Sequence, residues 1–292
     1  MSIRNDLYRF LYKCLSGHGL HKYHTFVKLN SIIRLFFSSN TTNIRGFKYF
    51  LGESNYKRFS IMDMEKFHDP LEIQQIELNV NEEDIVIDVG ANIGLVTLPL
   101  SKFVKKNGKV YAFEPHPQNF EILSKNVAIN SIKNIILENK AVSNYNGSAK
   151  LFDSWAKNED GAAKLFRTEG QPSDFTETPV ITLDTYFENI KLIDKISFVK
   201  IDVEGVEYDV IMGMKKILEK NPKIQLIIEF IPRQLIAYGA NPKEMLNFLI
   251  SMNFKIYWFD YSKDKKMKIV DDVDGLIKGY PYQSVNILCK RN

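Results

Sequence analysis

The sequence predicts an α/β protein with a mostly parallel sheet and helices on both of its faces. One observation is the stretch 84–94, DIVIDVGANIG, in which a short apolar run reaches Asp88 and then a turn containing Gly90 and Gly94. A helical pattern follows, as in the first strand–turn–helix unit of a nucleotide-binding fold. The second observation is that strand-like and helical stretches alternate from there with short links, which is typical of parallel sheets with right-handed crossovers.

Length and composition are those of a globular protein. The chain has 292 residues, of which 45% are hydrophobic and 25% charged. One domain of about 200–250 residues with an appendage is therefore expected. We expect neither a signal peptide nor a membrane helix, which needs about 20 apolar residues. The two cysteines, Cys14 and Cys289, lie near opposite ends of the chain, so we expect no disulfide framework and a cytoplasmic location.

Residues 1–48 are predicted to form a basic helical extension, separate from a domain at 49–292. The extension has eight basic residues and one acidic residue, a net charge of +7, which leaves −3 of the total of +4 for the rest. Apolar residues recur with helical period at 7–15 and 29–37. A cap on the domain or on a second subunit, as in a homodimer, is the first interpretation. Peripheral contact with an anionic membrane is the alternative, and nucleic-acid binding is disfavoured because no aromatic–basic RNA motif is present.

The first half of the domain has three apolar stretches of strand length and two helical patterns between them. We predict strands at 85–89, 109–114 and 134–138, a helix over 92–106, and a helix that starts at Pro115-His-Pro117 and ends at Ile129. Pro99 falls inside the first helix and is expected to bend it. Upstream, residues 40–82 are expected to form short strands and one helix.

The second half continues the alternation. We predict strands at 196–202, 223–230, 254–259 and 284–288, and helices at 207–219 and 242–252. The first of these strands is apolar around Lys200, as a central strand covered on both faces would be. Additional strands are expected at 147–152 and 179–182. The polar stretch 153–178 between them is predicted to be a lid or a mobile segment, and 260–279 a hairpin-like link.

Acidic residues end several of the predicted strands. In an open α/β sheet, ligands bind beyond the carboxyl ends of the strands. These ends read Asp88-Val-Gly90, Glu114-Pro-His-Pro117, Asp202-Val-Glu204-Gly205 and Glu229, and the third strand leads to Asn139-Lys-Ala141. Four carboxylate-bearing ends on one rim predict a functional site there.

The turn at 90–94 favours one class of nucleotide cofactor. Its glycines are spaced G-x-x-x-G with Asn92 between them, whereas a dinucleotide fold has G-x-G-x-x-G. Asp88 would be badly placed beside a pyrophosphate, but it suits a cationic group. S-adenosylmethionine has an ammonium and a sulfonium and no phosphate, so the pattern favours it over NAD. Glu114, 20 positions beyond Gly94, suits the ribose hydroxyls of either cofactor.

Asp202, Glu204 and His116 are the candidate groups for chemistry. Asp202 and Glu204 are two positions apart in extended chain, so their side chains point the same way. Such carboxylates can hold a metal, orient a sulfonium or take a proton, although Glu204 could instead cap the next helix. His116 could be a general base or a loop histidine without a role. The other histidines show no metal-ligand spacing, and a metal is not favoured.

Three motifs together resemble the FkbM family of methyltransferases. They are residues 86–94 (VIDVGANIG), 110–117 (VYAFEPHP) and 200–205 (KIDVEG), and the resemblance spans about 78–230. It implies a class I fold of seven strands, the last antiparallel, and S-adenosylmethionine-dependent methylation of a hydroxyl on a sugar, glycan or natural product. It also implies site roles: Asp88, Gly90, Asn92 and Gly94 at the methionine end, Glu114 with Pro115 at the ribose, Asn139 to Ala141 beside the adenine, and Asp202 and Glu204 flanking the methyl.

The mechanism that follows is in-line methyl transfer with Glu204 or His116 as the base and Asp202 in a positioning role. A divalent cation on Asp202, Glu204 and Glu229 is a weaker alternative. Two other functions stay open from the sequence. One is an RNA methyltransferase that uses the basic N-terminus, and the other is a non-catalytic scaffold that binds the cofactor.

Overall fold

A computed structural model describes residues 40–51, 70–153, 163–165, 175–261 and 266–291. Its strands are β1 (Thr41–Ile44), β2 (Phe47–Phe50), β3 (Ile85–Val89), β4 (Lys109–Phe113), β5 (Ile135–Glu138), β6 (Ala141–Val142), β7 (Gly147–Asp153), β8 (Ala163–Lys164), β9 (Phe175–Ile181), β10 (Ile196–Ile201), β11 (Gln225–Phe230), β12 (Lys255–Asp260), β13 (Lys266–Ile269) and β14 (Val285–Lys290). Its helices are α1 (Pro70–Asn79), α2 (Thr97–Phe103), α3 (Pro117–Ile129), α4 (Leu183–Asn189), α5 (Glu207–Met212), α6 (Lys215–Lys220), α7 (Pro232–Tyr238), α8 (Pro242–Ser251) and α9 (Val273–Gly279).

The central sheet has the order β13-β12-β14-β11-β10-β3-β4-β5. The strands from β11 through β10, β3 and β4 to β5 pair in parallel, whereas β14 is antiparallel to both of its neighbours. This confirms the expected mostly parallel sheet with an antiparallel last strand. The edge strand β13 is an addition that the sequence pattern did not predict. The chain reverses its direction of travel across the sheet between β3 and β10, which is where a ligand crevice is expected.

Both faces of the central sheet are buried. On one face Phe187, Ile211 and Leu246 belong to a large apolar cluster, and on the other Ile76, Leu100 and Phe259 belong to a second. The side chains of a parallel sheet alternate between two covered faces, and this explains why its strands are apolar throughout. Within the described residues, no helix is long and apolar enough to cross a membrane.

A second, four-stranded sheet has the order β6-β9-β7-β8. It contains the two additional strands predicted at 147–152 and 179–182. Most of the stretch 153–178 lies outside the described residues, so the lid or mobile segment stays a prediction. The amphipathic helices predicted at 7–15 and 29–37 also lie outside them.

The predicted helix over 92–106 is wrong in its start, because α2 begins only at Thr97. Asn92 and Gly94 have φ of 50° and 96°, which no right-handed helix accommodates. Pro99 consequently lies in the first turn of α2, where a helix tolerates a proline. The bend expected at Pro99 therefore has no basis in this short helix.

The single helix predicted at 207–219 is two helices, α5 and α6. They part at Gly213, where an added Cβ would lie 2.1 Å from the backbone oxygen of Ser143. The carboxylate of Asp184 then accepts from the N–H groups of Lys216 and Ile217, each at 3.0 Å, and so caps α6 as a new helix. The helix α7, which starts at Pro232, was not predicted. The hairpin-like link predicted at 260–279 contains β13, which pairs antiparallel with β12, and also the unpredicted helix α9.

Candidate functional site

The turn after β3 brings three strands together. Gly90 has φ of 86°, and a Cβ on it would lie 1.8 Å from the backbone oxygen of Asp202. The N–H groups of Gly90 and Ala91 both donate to the oxygen of Phe113 at 3.0 Å. The start of this turn is thus fixed to the ends of both β4 and β10, and only glycine fits at its first position.

Asp88 lies beneath the turn and is 1% exposed. Its Oδ2 accepts a hydrogen bond of 2.6 Å from the hydroxyl of Thr97, the first residue of α2. Burial raises the pKa of Asp88 to about 6, although Thr97 and Lys200 act to lower it. The carboxylate therefore ties β3 to α2, and its role toward the ammonium of a cofactor stays a prediction.

Glu114 is 5% exposed and accepts two backbone hydrogen bonds. Oε2 accepts from the N–H of Asn92 at 2.7 Å and Oε1 from the N–H of His116 at 2.9 Å. Burial raises the pKa of Glu114 to about 7, although these hydrogen bonds act to lower it. The side chain of Asn119 also donates to this carboxylate. A carboxylate has about four lone-pair sites, so the group can still accept from a ribose hydroxyl.

The segment after β5 lies beside Glu114. The side-chain amide of Asn139 donates to the backbone oxygens of Glu114 at 2.8 Å and Pro115 at 3.1 Å. Ala141 is buried in β6. The residues predicted for the ribose and the adenine are therefore near one another in the structure.

His116 is the N-cap of α3 rather than a loop histidine. Its Nδ1 accepts from the N–H of Asn119 at 3.4 Å, and the residue is 5% exposed. An accepting Nδ1 places the proton of a neutral imidazole on Nε2. In that tautomer neither nitrogen is available to remove a proton, and this weighs against His116 as the base.

Asp202, Glu204 and Glu229 form a carboxylate cluster at the ends of β10 and β11. One oxygen from each lies within 4.8 Å of the others. Glu204 has φ of 58°, an uncommon value for a residue with a side chain. The sequence placed these three acids at strand ends, and the neighbouring positions of β10 and β11 in the sheet explain why they meet.

Lys200 is the counter-charge of this cluster and is 1% exposed. Its Nζ lies 3.1 Å from Oδ2 of Asp202 and 3.2 Å from Oε1 of Glu72 on α1. Burial alone would lower the pKa of Lys200, but Asp202, Glu72, Glu229 and Asp88 together raise it above its usual value. Lys200 is therefore charged at neutral pH. Sequence reasoning missed Glu72, because α1 is distant in the chain.

The partly buried Glu229 and the fully buried Glu207 are acids with raised pKa values. Burial and the charges of Asp202 and Glu204 hold the pKa of Glu229 well above its usual value; Glu229 shares a side-chain hydrogen bond with Asp202 and accepts from Ser284 Oγ at 2.6 Å. Glu207 accepts from the N–H of Gly205 at 2.9 Å, and burial raises its pKa to about 7. The carboxylate of Glu207 thus binds the backbone just before α5.

The cluster has the oxygen ligands that a divalent cation needs. Each of its carboxylates already binds a protein donor: Lys200 for Asp202, Gln234 for Glu204 and Ser284 for Glu229. The surplus of negative charge at this rim also suits a cationic cofactor such as S-adenosylmethionine. The donor set therefore fits that cofactor without a metal.

A family model described as the methyltransferase FkbM domain matches residues 88–256. Among curated proteins, a hexuronic acid methyltransferase of Haloferax volcanii is 30% identical over 168 residues, which is 58% of this chain and 62% of that protein. A tRNA(Phe) (4-demethylwyosine(37)-C(7)) aminocarboxypropyltransferase of Methanocaldococcus jannaschii is 39% identical over 56 residues, 19% of this chain and 22% of that protein. The chain spans less than two thirds of the length of either relative.

Solved structures with a similar fold include a SAM-dependent O-methyltransferase of Thermotoga maritima. It is 12% identical, the TM-score is 0.42, and the alignment covers 78% of this chain and 70% of that one. A likeness of this size carries no information about the acceptor.

Proposed function

Since the chain belongs to the FkbM methyltransferase family, we propose that it is an O-methyltransferase acting on a hydroxyl of a sugar or glycan. S-adenosylmethionine is the cofactor that the family implies. The observation that carries the proposal is the cluster of Asp202, Glu204 and Glu229, whose oxygens lie within 4.8 Å of one another beside the Gly90 turn.

The residues around the Gly90 turn would hold the cofactor. Gly90, Asn92 and Gly94 shape the backbone at the methionine end, above the buried carboxylate of Asp88. Glu114 would accept from the ribose hydroxyls, and 139–141 would lie beside the adenine. When bound, the cofactor would supply an electrophilic methyl group on its sulfonium for transfer to a hydroxyl oxygen, with S-adenosylhomocysteine as the leaving group that keeps the electrons of the C–S bond.

Glu204 is the base in this proposal. A sugar hydroxyl is a poor nucleophile until its proton leaves, so a group at the acceptor side must take that proton. Glu229 has a pKa well above its usual value and shares a hydrogen bond with Asp202, which makes it a poor base at neutral pH. Asp202 is held by Lys200 and would orient the reacting groups. Alignment of this kind contributes roughly 7–11 kcal/mol to such reactions.

A sugar acceptor is supported by the relative from Haloferax volcanii, whose name describes methylation of a hexuronic acid. The proposal for this chain is a hydroxylated carbohydrate, with a hexuronic acid glycoside as the first compound to assay. The parts expected to select it are 153–178 and 260–279, together with the N-terminal residues that could also mediate a peripheral membrane contact or a homodimer.

The test begins with calorimetric titration of the protein with S-adenosylhomocysteine, with NAD as the control ligand. We expect micromolar binding of the former and none of the latter. Turnover is then measured by mass spectrometry with a glucuronide and with a short RNA as acceptors. Methylation of the glucuronide that is lost in Glu204→Gln supports the proposal. Wild-type turnover in Glu204→Gln excludes Glu204 as the base, and methylation of the RNA alone contradicts the sugar acceptor.

A further inference from the structure

The side chain of Gln234 holds the carboxylate of Glu204. Gln234 Nε2 donates to Glu204 Oε2 at 2.7 Å, and the two residues are 30 positions apart in the chain. Gln234 lies in α7, a helix that the sequence analysis did not predict and that no motif of the family resemblance includes. Nothing in the sequence therefore connects it to the site.

Gln234 is itself held in place. The helix α7 starts at the buried Pro232, and the next buried residue, Leu235, is 0% exposed. Gln234 Oε1 is also buried and has no hydrogen-bond partner among the described residues. A flipped amide would place that oxygen against a carboxylate, so the orientation that donates Nε2 to Glu204 is the favourable one.

The backbone at Glu204 and Gly205 packs closely against α7. Gly205 has φ of 110°, and a Cβ on it would lie 2.9 Å from the backbone oxygen of Gln234. Glu204 itself has φ of 58°, a conformation that carries strain and persists only when its surroundings determine it. The segment 204–205 therefore packs closely against Gln234.

We infer that Gln234 is a positioning residue that directs the carboxylate of Glu204 and favours its ionised form. This inference rests on the proposed function for the use of Glu204 as a base. A donor to a carboxylate stabilises the charged form more than the protonated form, so its loss raises the pKa of the acid. Gln234 acts through Glu204 and need not touch the acceptor.

The experiment measures the titration of Glu204 directly and requires no acceptor. Protein labelled with 13C at the glutamate carboxyls is titrated by NMR, and the Glu204 signal is assigned by its absence in Glu204→Gln. In Gln234→Leu the midpoint of Glu204 is expected to rise by about one pH unit, the worth of one hydrogen bond to a charged group. Gln234→Glu should raise it further, because it sets a like charge against the carboxylate.

Two comparisons separate positioning from general stability. Gln225→Leu removes a side-chain donor to the backbone oxygen of Asn79, at the opposite end of β11, and should leave the Glu204 midpoint unchanged. Gln234→Asn, whose shorter amide cannot maintain the 2.7 Å contact, serves if the leucine variant does not fold. Folding is checked by S-adenosylhomocysteine binding, which should be unchanged in every variant.

An unchanged midpoint of Glu204 in the folded Gln234 variants would overturn the inference. Its failure differs from failure of the proposed function, which is judged by turnover in Glu204→Gln. With a glucuronide acceptor, kcat is also measured as a function of pH. The acid limb of this pH profile should shift in Gln234→Leu to higher pH by the same interval as the NMR midpoint, while KM for S-adenosylmethionine stays constant. A fall in kcat that is equal at all pH values would indicate a structural role only.

Discussion

Gly90 and Asp202 approach so closely that a Cβ on the glycine would lie 1.8 Å from the backbone oxygen of the aspartate. This contact joins the turn proposed to hold the cofactor to the strand end that supplies the carboxylate cluster. The N–H of Asp202 also donates to the oxygen of Val89 at 3.0 Å, which continues the pairing of β3 and β10. The spacing between the two halves of the site is thus set by backbone contacts.

Gly90→Ala is expected to lose S-adenosylhomocysteine binding and several kcal/mol of stability, because the strands must separate to admit the methyl group. Gly46→Ala is the matched control. Gly46 has the same φ of 86°, but nothing lies within 4 Å of its added Cβ. The stability of Gly46→Ala should fall only by about 1–2 kcal/mol, the cost of placing a residue with a Cβ in the left-handed region. Urea unfolding and calorimetry measure both quantities, and equal losses in the two variants would contradict the steric argument.

The regular parts of this fold could be predicted from the sequence because their pattern is local. Strand 85–89 was placed to the residue, since its apolar run ends at a glycine turn. The start of α2 was not predicted correctly. Asn92 has a positive φ, and its N–H donates to Glu114, which lies 22 residues later in the chain. The break at Gly213 likewise depends on Ser143.

The acids of the candidate site could also be predicted, because they follow apolar strands. The residues that hold them could not. Glu72 and Gln234 lie on helices without a motif, and each contacts the site only through tertiary structure. A sequence pattern shows which residues end a strand, whereas it does not show which distant side chain will neutralise or orient them.

Glu207 is expected to make the protein less stable as pH rises. Its pKa is about 7 in the folded protein against a usual 4.5, so the folded state binds more protons than the unfolded state between these values. The free energy of unfolding therefore falls from about pH 4.5 to about pH 7, by roughly 3 kcal/mol at 1.36 kcal/mol per unit of pKa.

Glu207→Gln should remove this cost. We expect the variant to unfold at a higher urea concentration than the wild type at pH 8 and at a similar one at pH 5. Glu219→Gln, at the exposed end of α6, should change the stability little at either pH. A Glu207→Gln variant that is no more stable than the wild type at pH 8 would show that the carboxylate is stabilised where it lies.

Glu114 is expected to make cofactor binding depend on pH. Its pKa is about 7 in the free protein, and ribose hydroxyls donate more strongly to the ionised carboxylate. The affinity for S-adenosylhomocysteine should therefore rise between pH 6 and pH 8, with release of a proton near pH 7. Calorimetry in two buffers of different ionisation enthalpy measures that proton. Glu114→Gln should bind more weakly and lose the pH dependence, whereas a dependence retained in this variant would assign it to another group.

Lys200 should be the most costly charged residue of the site to remove. Its Nζ is within 3.2 Å of carboxylate oxygens of both Glu72 and Asp202 in the protein interior. Lys200→Met leaves the buried Glu72 and the partly exposed Asp202 without a cation, and removing one partner of a buried ion pair costs about 3–5 kcal/mol. Glu72→Gln alone should cost less, because Asp202 still neutralises the lysine. The double variant Lys200→Met, Glu72→Gln should recover part of the stability that Lys200→Met loses, because only Asp202 is then left without a counter-charge. Urea unfolding of the wild type, the two single variants and the double variant gives the coupling energy. Additive losses would mean that Lys200 is held by Asp202 alone and that α1 contributes nothing to the electrostatics of the site.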